Sequence, residues 1–177
     1  MLNTGNGGYT AWHIIGFADK GEDTHMKPDW KRAILGGFVG TLALTFMMYK
    51  GAPMMGMMKL DMAARLGQIL GSWTAGMVMH FFIGTVVYAL SYALLAYRFL
   101  PGPPVVKGLV WGAVLWLGLE LVGMPMMGAG LFSVKAGGMK AAIPALIGHL
   151  VYGALLGSIA GPGVGAERQQ RQVRRAA

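Results

Sequence analysis

The chain has 177 residues, 55% of them apolar and only 12% Asp, Glu, Lys or Arg, with a formal net charge of +8. Soluble domains carry about 25% charged residues, so this composition excludes that class and indicates an integral membrane protein. Absence of cysteine rules out a disulfide framework, thiolate metal sites and iron–sulfur ligation, and a basic charge confined to segments outside the apolar runs argues against a nucleic-acid partner.

Residues 1–32 read as a cytoplasmic or interfacial arm. Tyr9, Trp12, Ile14, Ile15 and Phe17 precede a polar stretch with His13 and His25 nearby. The arm is too polar to span and lacks the pattern of a cleavable signal peptide, so it is expected to lie on the inner leaflet or to dock on a larger partner. A first span covers 33–49, and the corner "PMMGMM" comes next at 53–58. Residues 57–70, "MMKLDMAARLGQIL", place Met58, Met62, Leu66 and Ile69 on one stripe and Asp61, Arg65 and Gln68 on the other. That pattern predicts an amphipathic helix on the outer leaflet, with an Asp61–Arg65 pair one turn apart.

The second span, 73–97, contains "HFFIGTVVY" from His80, and "LPGPP" at 100–104 makes a rigid corner. The third span, 108–127, contains Glu120 and ends in a second "PMMG" at 125–128, and the fourth, 141–160, contains "HLVYGALLG" from His149. Each span has a length suited to a membrane helix of ~17 to 25 residues. Residues 162–177 form a basic tail.

Two features organise the four spans. The "PMMG" corners recur 72 residues apart and the His-x-x-x-Gly motifs 69 apart, so the 33–161 bundle reads as a duplicated helical hairpin, repeat one over 33–99 and repeat two over 106–161. Two helices per unit return the chain to its starting side, which makes the repeat parallel. Ten Lys and Arg residues fall on the side of the termini and five (Lys50, Lys59, Arg65, Lys135 and Lys140) on the other, which puts both termini in the cytoplasm and the methionine corners outside. Trp30, Trp73 and Tyr97 are expected in an aromatic belt. Glycine rows at 36 and 40, 108 and 112, and 153, 157 and 161 provide close-packing faces for helices or for neighbouring subunits.

Glu120, His80 and His149 fall at one expected depth, and the 72-residue offset of the repeat relates Glu120 to Met48, which joins the layer. Polar groups within spans are costly and mark function by default. The layer admits a Glu–His clamp fixing helix register, or axial ligation of haem b by His80 and His149 with Gly84 and Gly153 giving room. It also admits a quinone head group between His80, His149 and Glu120, or a copper site of Met48, His80 and His149, since thioether plus imidazole suits Cu(I). No nucleophile with a base, phosphate loop or zinc motif is present, so an independent enzyme is not expected.

"PMMGMMKLDMAARLG", "LPGPP", "MPMMGAGLF" and "GHLVYGALLG" together resemble a family of small, uncharacterised four-helix bacterial membrane proteins, over about residues 33–161. The resemblance implies an all-α integral membrane fold and a bacterial inner-membrane location, with no established catalytic residue. The functional expectation is a non-catalytic accessory subunit of a larger membrane complex, respiratory or otherwise electron-transferring, docked through residues 1–32 and the small-residue helix faces. A haem-, quinone- or copper-binding membrane protein is the alternative.

Overall fold

The computed structural model describes residues 29–161 and 172–173. The arm up to residue 28, with its proposed docking role, and most of the basic tail lie outside the described residues. The rest folds into four long helices, α1 (Trp30–Met54), α3 (Trp73–Ala96), α4 (Pro104–Met126) and α5 (Met139–Ala160), plus the short α2 (Met62–Leu70). The long helices are extended and apolar enough to cross a membrane, so the chain is a multi-pass helical membrane protein. Leu35, Phe38 and Leu42 on α1, Val78 and Phe82 on α3, and Val110, Val114 and Leu117 on α4 face outward, as lipid-exposed side chains do.

The first, third and fourth spans are longer than the hydropathy pattern predicts, while the second ends within a residue of it. Asp29 caps the start of α1, its carboxylate accepting from the Lys31 N–H at 2.8 Å. At the other end the helix does not stop at Pro53. It widens into a π turn over Met47–Gly51, where the Ala52 N–H donates to Met47 O, and then carries the proline at the start of its last turn. The wide turn accommodates a ring that lacks an N–H and would crowd the preceding turn.

α4 repeats this geometry 72 residues later. A π turn spans Leu119–Gly123, the Met124 N–H donates to Leu119 O, and Pro125 occupies the equivalent place. Both corners then close through a glycine with φ of +74°, Gly56 and Gly128, a backbone conformation that side chains disfavour. The capping bonds match as well: Met57 N–H to Ala52 O and Ala129 N–H to Met124 O are each 2.9 Å. The duplicated corner is therefore a backbone feature, and methionine flanks it twice because the whole turn is repeated.

In cross-section the order is α3, α1, α5, α4. α5 is the central helix, packed on α1 and on α4, while α3 packs on α1. Glycines set these distances. A Cβ at Gly108 would overlap the Gly153 carbonyl, and one at Gly112 the His149 carbonyl. A Cβ at Gly36 would come within 3.2 Å of Leu156 Cα, and one at Gly40 within 2.8 Å of the Tyr152 ring. The glycine rows expected to receive other subunits are thus used within the bundle, because lipid gives little drive for association and close van der Waals packing must supply it.

α2 departs from the expected surface helix. It begins at Met62 with Asp61 as its cap, so Met58 precedes it and packs instead near Gly137 of the other corner. Gly71 (φ +86°) and the Ser72 cap turn the chain sharply, and Gly67 and Gly76 let α2 fold back on the start of α3. The Asp61–Arg65 pair gives way to this cap. Of the expected belt, Trp30 and Trp73 are exposed, whereas Tyr97 is buried edge-on against Tyr92 with Lys107 above its ring.

Candidate functional site

The seam between α1 and α5 is closed by direct contact of Gly36 and Gly40 with α5. Its equivalent under the internal repeat is the seam between α3 and α4, and that one is open over half its length. On the side of the termini it is braced by side chains. Trp111 Nε1–H donates to Tyr88 O at 3.3 Å, Tyr92 O–H to Pro104 O at 3.3 Å, and Lys107 Nζ to Tyr97 O at 2.9 Å. Toward the corners a cavity of about 250 Å³ lies between the two helices, just below the usual ligand-pocket range of about 300–1,000 Å³.

All five helices contribute to its wall. α3 supplies His80, Ile83, Gly84 and Tyr88, one face at helical spacing, and α4 supplies Leu119, Gly123, Met126 and Met127 opposite. Thr41, Leu44 and Met48 of α1 and His149 and Tyr152 of α5 form the back. The apolar stripe of α2, Met62, Leu66 and Ile69, covers the corner end, so the stripe expected to rest on lipid instead roofs a chamber. The wall is mostly apolar and contains no carboxylate.

The layer inferred from the sequence divides. Met48, His80 and His149 meet in this cavity, each less than 9% exposed. Glu120 does not join them. It is 1% exposed and accepts a hydrogen bond from Ser133 Oγ at 2.8 Å, within the second hairpin. Although Met48 and Glu120 hold equivalent places in the repeat, α1 packs closely on both α3 and α5 whereas α4 packs closely on α5 alone, so equivalent faces meet different surroundings. Ser133 and the preceding Phe132 have φ of 55° and 47°, strained for residues other than glycine. That strain brings the hydroxyl to the buried carboxylate. A Glu–His clamp is therefore not formed, and Glu120 is not a wall residue of the cavity.

The carbonyl partner of His149 fixes which of its ring nitrogens carries the proton, and the Thr45 contacts assign that of His80. His149 Nδ1 lies 2.7 Å from Ala145 O, and a carbonyl only accepts, so Nδ1 is the N–H. Thr45 Oγ1 has two contacts, Thr41 O at 2.7 Å and His80 Nε2 at 3.1 Å, and assigning its one hydrogen to the shorter makes the longer an N–H donated by the imidazole. An apolar wall without a carboxylate favours neutral rings. His80 Nδ1 and His149 Nε2 are then lone-pair acceptors with no partner among the described residues. Neither is sealed off, since Thr85 Oγ1 is the one buried side-chain nitrogen or oxygen among the described residues without a partner. Tyr88 brings a phenol to the same chamber, while the Tyr152 hydroxyl is committed to Gly84 O at 2.6 Å.

At the corner end Asp61 ties three helices together. Its carboxylate accepts from Tyr49 O–H of α1, from the Ala64 N–H of α2 at 2.8 Å and from Trp73 Nε1–H of α3 at 3.2 Å. Partial burial pushes the Asp61 carboxyl up, but these hydrogen bonds and the nearby Lys59 together hold it below the ordinary aspartate value.

Sequence reasoning singled out the histidines and Met48 but missed Thr45, Tyr88 and the α2 roof. A signal for Tyr88 exists in the sequence, because His80, Gly84 and Tyr88 recur every four residues and so share one helix face. No such signal shows which neighbour that face meets.

Fold and cavity together define a helical multi-pass membrane protein with a ligand-sized chamber between its spans. The chain belongs to the family of unknown function DUF6789, which matches residues 28–171. No curated protein and no solved structure matches it.

Proposed function

We propose that this chain is a membrane-embedded binding protein for a small, largely apolar molecule that enters from the bilayer between α3 and α4. The observation that carries the reading is the open α3–α4 seam, which widens into an apolar chamber holding His80, His149 and Tyr88. Few, convergent polar groups in an apolar concavity are what a small-molecule site needs: the wall supplies burial and the polar groups fix orientation. A quinone-type ring fits this description better than haem b, because axial ligation by His80 Nε2 would require that nitrogen to leave Thr45. Copper finds thioethers and imidazoles here, but a cation in a wall without a carboxylate carries a large desolvation cost.

Binding of a short-chain benzoquinone–benzoquinol pair to the purified protein in lipid nanodiscs tests the reading. Saturable binding lost in Ile83→Trp, which fills the chamber from α3, is the expected result. Equal binding by that variant would contradict it.

Membership of a larger, electron-transferring membrane complex is the companion reading. It is supported by the exposed methionines of the corners, Met54, Met55 and Met126, and by Met139 at the start of α5, since adaptable thioether side chains suit a partner surface. Co-purification before and after deletion of residues 1–28 tests it, and an unchanged set of partners would argue against docking through the arm. A bacterial inner-membrane setting with cytoplasmic termini belongs to the same proposal, on the strength of the Lys and Arg distribution and the family resemblance.

A further inference from the structure

We infer that the chamber selects its ligand in the hydrogen-donating form, a hydroquinone or comparable diol rather than the corresponding quinone. The inference rests on the small-molecule reading above and adds the ligand's chemical class.

The two imidazoles are held by partners that accept only, or whose one hydrogen is already given away. Ala145 O takes the Nδ1–H of His149, and Thr45 Oγ1, having donated to Thr41 O, takes the Nε2–H of His80. His149 is thereby locked in a tautomer that leaves a lone pair, not an N–H, for the ligand, and His80 takes the same form when the Thr45 hydrogen goes to its shorter contact. Rotating either ring to offer a hydrogen would break a hydrogen bond of 3.1 Å or less, partly buried at His80 and buried at His149. A quinone carbonyl brings a lone pair against each lone pair, whereas a hydroxyl brings a hydrogen. Tyr88, which also lines the chamber, can then donate its hydroxyl to the oxygen of one such hydroxyl. Apolar walls of Ile83, Leu119 and Leu44 hold the ring itself.

Thr45 is on this account a positioning residue for ligand choice. It is not a wall residue, yet it decides which nitrogen of His80 carries the proton. Thr45→Val keeps the shape and removes the acceptor, which frees the His80 tautomer.

The test compares three probes on the full chain in nanodiscs under anaerobic conditions: a short-chain benzoquinol, its quinone, and its dimethyl ether, which has the same ring and no donor. Benzoquinol is expected to bind roughly ten- to a hundredfold more tightly than either of the others, the penalty of leaving buried acceptors unmet. In Thr45→Val that preference should fall severalfold with binding retained, and Thr45→Ser should restore it. Equal affinity for quinol and quinone, with both lost in Ile83→Trp, would overturn the donor inference while leaving the chamber as the binding site. An unchanged preference in Thr45→Val would overturn the tautomer lock. Binding of all probes unaffected by Ile83→Trp would overturn the site itself.

Discussion

The two hairpins share a corner and differ in the segment that leads from it to the next span. Both carry a π turn, a proline in the last helical turn and a glycine at +74° in the same places. After the first corner the chain makes α2, whose stripe roofs the cavity; after the second it makes a short 3-10 turn over Leu131–Ala136 whose strained Ser133 meets Glu120. Duplication therefore supplied a rigid frame twice, and the segments between the corners and the next spans set one half to enclose a chamber and the other to bury a carboxylate. The same division appears between the spans: a seam closed on glycine between α1 and α5, and its equivalent held open between α3 and α4.

The sharpest way to break this comparison is to load the glycine contact that holds α4 on α5. Gly108→Leu drives a side chain into the Gly153 carbonyl and should cost about 3 kcal/mol or more, seen as loss of a monodisperse peak in size exclusion. Gly118→Leu, on the same helix but with open space around it, should behave as the native chain does. Comparable damage from both would mean that the close approach is not what holds α4.

A smaller effect is expected at the second corner. Ser133→Ala leaves the buried Glu120 carboxylate without its donor and should cost about 2 kcal/mol of thermal stability. Adding Glu120→Met, which installs the residue found at the equivalent place in repeat one, should recover most of that loss. A double-mutant cycle with no coupling would show that the pair does not stabilise the hairpin.

The equivalence of the corners is itself measurable. Gly56→Ala and Gly128→Ala each force an alanine to +74° with no neighbour within 4 Å, so both should lose about 1 kcal/mol and by equal amounts. Unequal losses would mean that the corners are alike in sequence but not in load.

The smallest effect concerns pH. Asp61 has a carboxyl held below its ordinary value, so its contribution is complete above about 3.9 and is lost as pH falls through the lower folded value. Thermal unfolding of the native chain should therefore weaken over that acid window more than that of Asp61→Asn. Parallel curves would remove the tie between α1, α2 and α3.

Much of this frame was legible in the sequence. Composition identifies the spans because a bilayer demands length and apolarity from each helix independently, and the second "PMMG" announces the repeat because a proline–glycine turn needs those residues in that order. The grouping of His80 and His149 could be read from depth, and that of Met48 with them from the 72-residue offset of the repeat. The place of Glu120 could not, because depth along a helix says nothing of which face meets which neighbour, and the row α3, α1, α5, α4 is decided by interhelical packing. The α2 stripe was visible too, but amphipathicity marks a boundary between apolar and polar surroundings without telling lipid from a protein chamber.

The most direct test of the open seam uses the absence of cysteine to install one thiol at a time. Leu119→Cys, on the chamber wall, should react with a lipid-soluble maleimide in nanodiscs and be protected by saturating short-chain benzoquinol, while Leu156→Cys, buried in the closed seam against α1, should stay unreactive. Equal reactivity at the two positions, or no protection at the first, would contradict the account.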